Sequence, residues 1–276
     1  MSISFNSISG LMGNMLLSEM MKTSGQLMDV HQRLATGQRI STASDDAAGL
    51  AIATRLESRS RALAVAARNA QMGISKIQTA EGYLQSTTDD LQRIRELSVQ
   101  AANGTLTDAD RHAIQEEIAQ LRENIDYTLG SAEFNSQRIF SGETETFQIG
   151  TDPSGHMTID WPAMSAESLG LNEIDVTTQE GAEAAVSQSS DALDQVLSFR
   201  TELGAGQNRL ESALDTISRT RIDTLSALST IRDTNMVADI MEEAQAMTSL
   251  QSQVMLMSQI NNLNRSIIPY LLGDND

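Results

Sequence analysis

Between Asp45 and Ala102 an apolar residue returns at every seventh position: Leu56, Leu63, Ala70, Ile77, Leu84 and Leu91. Ile52, Ile94 and Leu97 fall near the same repeat. A heptad sustained this long predicts a helix packed along its length on other helices, as in a coiled coil. At 1.5 Å per residue such a helix is ~85 Å long, a rod rather than a globule. Asn103 and Gly104 end the pattern. Thr107 and Asp110 have the spacing of a capping box, in which a hydroxyl and a carboxylate satisfy each other's backbone N–H at a helix start. Ile114, Ile118, Leu121, Ile125 and Leu129 then predict a third helix folding back along the second.

The ends of the chain carry two more apolar stripes. Ile8, Leu11, Met12, Met15, Leu16, Met20, Leu27, Met28 and Leu34 are spaced by threes and fours, which predicts an amphipathic helix. Gly10, Gly13 and Gly25 weaken it, each by ~1 kcal/mol relative to alanine. Ile240, Met247, Leu250, Val254, Met257, Ile260 and Ile267 form the matching stripe at the other end. Many of the 14 methionines cluster in these two stripes; flexible thioethers suit surfaces that pack only with a partner. Isolated amphipathic helices are marginal in water, so these faces are expected to bury on each other or on neighbouring molecules.

Two links punctuate the pattern. Gly37 stops the first helix, and a polar stretch from Gln38 to Ala43 follows. Ser44 then stands as helix cap, with Asp45 and Asp46 in the first turn, where the helix dipole favours negative charge. The small residues Ala47, Ala48, Gly49, Ala51 and Ala53 allow close helix packing. From Ser131 to Val176 Gly, Thr, Asp and Pro interrupt the helical period. Thr144–Ile149 and His156–Trp161 read as two strands around the turn Asp152-Pro153-Ser154-Gly155, the one β element expected. Helical spacing returns near Thr178 and runs through Val186, Leu193, Val196, Leu197, Leu214, Ile217, Leu225, Leu228 and Ile231 to Asp233-Thr234-Asn235.

The expected fold is therefore mainly α: a long antiparallel coiled-coil-like rod with paired terminal helices and one small β-hairpin. Residues 1–34 with 236–276 would form a terminal helical domain, 35–44 a linker, and 45–235 the rod, with its hairpin near 144–176.

Composition narrows the function classes. A net charge of −18 opposes general affinity for nucleic acid, whose phosphates need basic partners. With no Cys there is no disulfide and no thiolate metal site. The first twenty residues have neither the basic start nor the long apolar run of a secretory signal. No segment reaches the ~20 apolar residues of a membrane span, and the polar faces of the terminal helices lack the basic residues of a membrane-surface helix.

Chemistry is sparse. His112 and Glu116 share a helix face at a metal-ligand spacing, but two residues do not make a site. His31, near Asp45 and Asp46 in sequence, reads the same way. Asp45 and Asp46 lack the cleft and third group that acid–base work requires. Gly204 and Gly206 lie inside a helical pattern, not after a strand, so they are no dinucleotide fingerprint. No enzyme, cofactor or metal is expected.

The strings LATGQRI and SDDAAGLAIATRL resemble the N-terminal signature of bacterial flagellins. LQRIRELSVQAANGT, AEFNSQRIFSG, LGAGQNRLESAL and IRDTNM resemble flagellin motifs at corresponding places, over roughly residues 1–145 and 180–265. The short centre is similar to a minimal flagellin without inserted outer domains. The opening MSISFNSISG and the ending Pro269 to Asp276 depart from the family's usual start and its Leu-Leu-Arg-like end.

The resemblance implies a subunit that self-assembles into the helical flagellar filament for swimming, secreted to the cell exterior without a cleaved signal peptide. It implies paired termini forming an inner tube, an export chaperone shielding the C-terminal stripe, and hook-associated and cap proteins as partners. Nucleic acid and membrane are not expected partners. The expected polymerisation contacts are Met247, Leu250, Val254 and Met257, with Leu16 and Met20. Arg93, Glu96 and Leu97 resemble the residues by which many flagellins engage the flagellin-sensing Toll-like receptor; the supporting helix carries Glu117, with Leu121-Arg122 where Arg-Leu is more usual. The alternatives are a minor hook–filament junction protein, which shares the terminal helices, and a secreted coiled-coil effector.

Overall fold

The computed structural model describes residues 2–272, with side chains from 10 to 263 and at 265. The chain runs α1 (Ser2–Thr36), α2 (Ala47–Ala101), α3 (Asp108–Gly130), β1 (Glu133–Phe134), β2 (Gln137–Arg138), β3 (Glu143–Gln148), β4 (His156–Trp161), a short 3-10 turn (Leu171–Glu173), α4 (Gln179–Arg232) and α5 (Met236–Leu272). The fold is mainly α, as the heptad pattern requires. The chain divides into two compact units. One takes residues up to Ser58 and from Thr224 onward; the other is Arg59–Asp223.

In the central unit the heptad of α2 is the core. Leu63, Ala70, Ile77, Leu84 and Leu91 are all buried. Ala70, Ile77, Leu84 and Leu91 share one cluster with Ile114, Ile118, Ile125 and Leu129 of α3 and Ala185, Ala192, Val196, Leu203 and Leu210 of α4, while Leu63 packs with Ala66 and Ile217 of α4 in a smaller one. Alternating large and small residues across these faces lets helices approach closely. Gly73 marks the tightest place: a Cβ there would sit 2.9 Å from a Leu210 methyl and 3.2 Å from the Phe147 ring. The capping box that starts α3 is formed, with Asp110 accepting the Thr107 N–H at 3.0 Å and donating its own N–H to the Thr107 hydroxyl oxygen.

β3 and β4 pair antiparallel in the register Glu143↔Trp161 to Gln148↔His156. Met157, Ile159 and Trp161 alternate onto the buried face. Trp161 meets Phe199 of α4 edge-on at 6.3 Å, and Lys76 of α2 lies 4.8 Å above its ring while pairing with Glu145. A second hairpin, β1–β2, was not expected from the sequence. Its two-residue strands are too short to show alternation, and its turn needs two left-handed residues, supplied by Asn135 (φ 52°) and Ser136 (φ 61°). Past Trp161 the region near 144–176 holds no further strand; Gln115 of α3 brackets it instead, donating to Ile174 O at 3.1 Å and accepting from Val176 N at 2.8 Å.

In the terminal unit α1 and α5 pack antiparallel, since Arg33 meets Asp239 and Thr23 meets Gln253. Gly37 (φ 68°) ends α1, its N–H returning to Arg33 O at 2.8 Å. The link after α1 is stitched to the link before α5. Arg39 N donates to Arg232 O at 2.7 Å, Thr234 N to Gly37 O at 3.1 Å, and Gln38 bridges Asp233. At the start of α2, Ile52 is exposed and Ala53 buried instead, so the seam there runs one position later than the heptad suggested.

Candidate assembly surfaces

The first candidate site is the start of α2, and the cap is not Ser44. The helix begins at Ala47, and Asp46 accepts the Gly49 N–H at 2.9 Å. Asp45 lies one step outside the helix and ties the preceding turn, accepting the N–H groups of Ser41 at 2.9 Å and Thr42 at 2.8 Å. Ser44 shares a hydrogen bond with the Thr42 hydroxyl at 2.8 Å. Those two backbone donors, Thr42 first, hold the Asp45 carboxyl below its usual value of 3.8. Gly49 has a steric reason: a Cβ would collide with the Asp46 carboxylate and lie 2.7 Å from an Ile40 methyl.

The second is the α1–α5 pair. Its seam has heptad spacing on both helices: Leu16, Met20, Thr23, Leu27, Val30 and Leu34 on α1, and Asp239, Glu243, Ala246, Leu250, Gln253, Met257 and Ile260 on α5. Every one is buried or half-buried. Leu16, Met20, Leu250 and Met257 therefore face the partner helix of the same chain. Met247 and Val254 do not; they are 43% and 50% exposed. With Ile240 they form a further stripe, one residue along from the seam and again with a period of seven. Met241, Met255, Leu256 and Leu263 widen it, and Leu11, Met12, Met15, Met21 and Met28 do the same on α1. Exposed apolar side chains at this density are what a helix face buried against a partner presents. The sequence stripe merged two faces that the structure separates. The unusual end of the chain falls largely outside this description: residues 273–276 and the side chains of 266–272 lie outside the described residues.

The third is the exposed face where α2 meets α3. Arg93 donates to Glu117 at 3.0 and 2.7 Å and to Glu96 at 3.3 Å. Arg93 and Glu96 face solvent, but Leu97 is 2% exposed and belongs to the core, so it presents no contact surface.

Among the described residues the candidate chemical groups stay apart. His112 and Glu116 gain no third ligand, since no cluster of three His, Cys, Asp or Glu that could hold a metal exists among the described residues. His31 pairs with Glu243 at 3.4 Å, not with Asp45 or Asp46. Gly204 and Gly206 are interior to α4. No helix among the described residues is long and apolar enough to cross a membrane.

Residues 9–145 match the model of the bacterial flagellin N-terminal helical region, and residues 186–271 that of the C-terminal helical region. The flagellar filament 30.7 kDa core protein of Treponema maltophilum is 37% identical over 257 residues, covering 87% of this chain and 90% of that protein. The chain belongs to the bacterial flagellin family. A flagellin of Bacillus subtilis is 34% identical, with 87% of this chain and 91% of that one covered. Among solved structures, one named for a flagellar hook-associated protein of Vibrio parahaemolyticus superposes with a TM-score of 0.60 at 21% identity, over 68% of this chain and 100% of that one. That likeness shows the fold alone. Flagellins are structural proteins, and the gap between the two matched regions of this flagellin runs from the middle of β3 through β4 and the following loop into the first turns of α4.

Proposed function

We propose that this flagellin is a structural subunit of the flagellar filament, that it polymerises through its terminal helices and that it catalyses no reaction. The observation that carries the reading is the outer apolar stripe of α5, Ile240, Met247 and Val254, left open after α1 and α5 have closed their shared seam. A surface of this kind is buried when copies of the chain meet, and apolar burial supplies the driving force. Residues 1–34 and 236–276 would form the inner part of the filament and 45–235 the surrounding part, joined through 35–44.

The subunit works outside the cell. It would leave by a route that keeps α1, since α1 supplies half of the seam. Until the two stripes meet, each terminal segment is by itself only a marginal helix, which suits export of an unfolded chain. An export chaperone of apolar groove would shield the C-terminal stripe, and hook-associated and cap proteins would meet the same helices at the filament ends. Arg93, held on the surface by Glu117, and Glu96, paired in turn with Arg93, would serve as contacts for the flagellin-sensing Toll-like receptor. A reporter-cell assay with purified monomer checks that contact separately from filament formation.

Electron microscopy of the purified chain tests the reading. Long tubes of constant diameter are expected. Discrete particles at every concentration would reject it.

A further inference from the structure

The seam between α1 and α5 is polar at one buried level in its middle. Thr23 and Gln253 are 5% and 9% exposed. Around them the seam positions are Met20 and Leu27 on one helix and Leu250 and Met257 on the other. Thr23 has already used its hydroxyl proton on Glu19 O at 3.0 Å, so its oxygen can only accept. Gln253 answers with its amide, Nε2 donating to Thr23 Oγ1 at 3.1 Å and to Ser249 Oγ at 3.3 Å. The amide oxygen of Gln253 is buried without a donor.

Such a level weakens the seam. A buried amide with an unmet acceptor is costlier than an aliphatic side chain of the same size. Polar positions inside heptad seams are known instead to select one alignment over others. This chain has need of such selection. Leu16, Thr23 and Val30 repeat every seven residues, as do Ala246, Gln253 and Ile260. A shift of α5 by one heptad would part Arg33 from Asp239 and His31 from Glu243 towards one end of the seam; around its middle the polar mismatch would fall on Gln253, facing Leu16 or Val30 with no acceptor for its amide, and on Thr23, facing Ala246 or Ile260. Within one chain the stitched links at Gly37 and Thr234 already hold the alignment. Between chains no link exists, and a crowded solution of subunits brings many equivalent stripes together.

We infer that the Thr23–Gln253 level is a specificity determinant of assembly, which rejects out-of-register pairing between α5 of one copy and α1 of another. It goes beyond the filament reading and rests on it only in that many copies must meet through these helices.

The chain has no cysteine, so introduced thiols report pairing directly. His31 faces Glu243 in the native register; one heptad away it would face Leu250. Two single-cysteine chains, His31→Cys and Leu250→Cys, are mixed and oxidised, with Thr23 and Gln253 intact or replaced as Thr23→Val with Gln253→Met. The apolar background should raise the inter-chain disulfide yield on the order of tenfold, matching the cost of stranding one buried polar group. Circular dichroism should show its thermal midpoint unchanged or higher. Thr23→Val alone, which strands the amide, should lower that midpoint, and adding Gln253→Met should restore it. Equal disulfide yields in the two backgrounds, or a double variant that is less stable than either single one, would overturn the inference. Absence of filaments from the unmodified chain would reject the assembly reading while leaving the cross-linking comparison to be read on its own.

Discussion

Asp46 shows how a single residue sets a helix boundary. Its carboxylate caps the Gly49 N–H, and Gly49 in turn must lack a side chain to admit it. Asp46→Ala should lower stability by about 1 kcal/mol, while Ser44→Ala should change it by less than about 0.5 kcal/mol; thermal melts of the two variants check this. The sequence placed a helix start here but took Ser44 as its cap with Asp45 and Asp46 inside the first turn, whereas Asp46 is the cap and the helix starts at Ala47. The choice depends on the turn at 42–45, where Asp45 is spent on the N–H groups of Thr42 and Ser41. Asp45 and Asp110 both have carboxyls held below 3.8, Asp45 by backbone donors and Asp110 by the Thr107 hydroxyl and then its N–H. Because the folded value lies below the unfolded one, each carboxylate stabilises the fold above about pH 3.8 and loses that effect as pH falls further. Far-UV dichroism should show helix loss setting in below pH 4, and Asp45→Asn with Asp110→Asn should flatten that part of the curve.

Among the elements, long periodic helices were readable and short irregular ones were not. The heptad of α2 found its buried positions from Leu63 to Leu91 because a period of seven fixes a face over many turns. It failed at Ile52, where the packing partners differ and a stripe one residue away is used. β3–β4 was legible from its alternation and its Asp-Pro-Ser-Gly turn. Nothing in two-residue strands could announce β1–β2 beyond an Asn at a turn. Trp161 anchors the larger hairpin between Lys76 and Phe199; Trp161→Ala should destabilise the central unit by about 3–5 kcal/mol, measured by urea unfolding. The Gln115 bracket was invisible because glutamine in a helix carries no sequence signal of its tertiary partner. Gln115→Ala removes two hydrogen bonds, so the Val176 amide should exchange faster, by an amount reflecting about 1 kcal/mol per bond.

At the scale of the molecule the two terminal stripes were evident, yet their division into an inner seam and an outer face was not. Leu250 and Val254 are four residues apart and share one sequence stripe, but the first is half-buried against α1 while the second is half exposed. This separation makes the two substitutions informative. Val254→Asp should leave the α1–α5 pair formed and block polymerisation, since each copy would bury a carboxylate against its neighbour. Leu250→Asp should also unpair α5 from α1, detectable as lower helix content in any assembled material. Sedimentation and negative-stain microscopy of the two variants, with proteolysis of the terminal segments, distinguish the outcomes. Filaments of normal yield from Val254→Asp would remove the outer stripe from the assembly surface.

The stitch between Gly37 and Thr234 also fixes an order in time. Its partners lie almost two hundred residues apart in the chain, and contacts of such long range form late, after the closure entropy of the intervening loop has been met. The α1–α5 pair therefore cannot begin to form while the chain is still emerging, from a ribosome or from a narrow channel, until its last sixth has followed. A subunit threaded N-terminus first is thus obliged to arrive with α1 unpartnered, and the final helix to pass is the one that completes it.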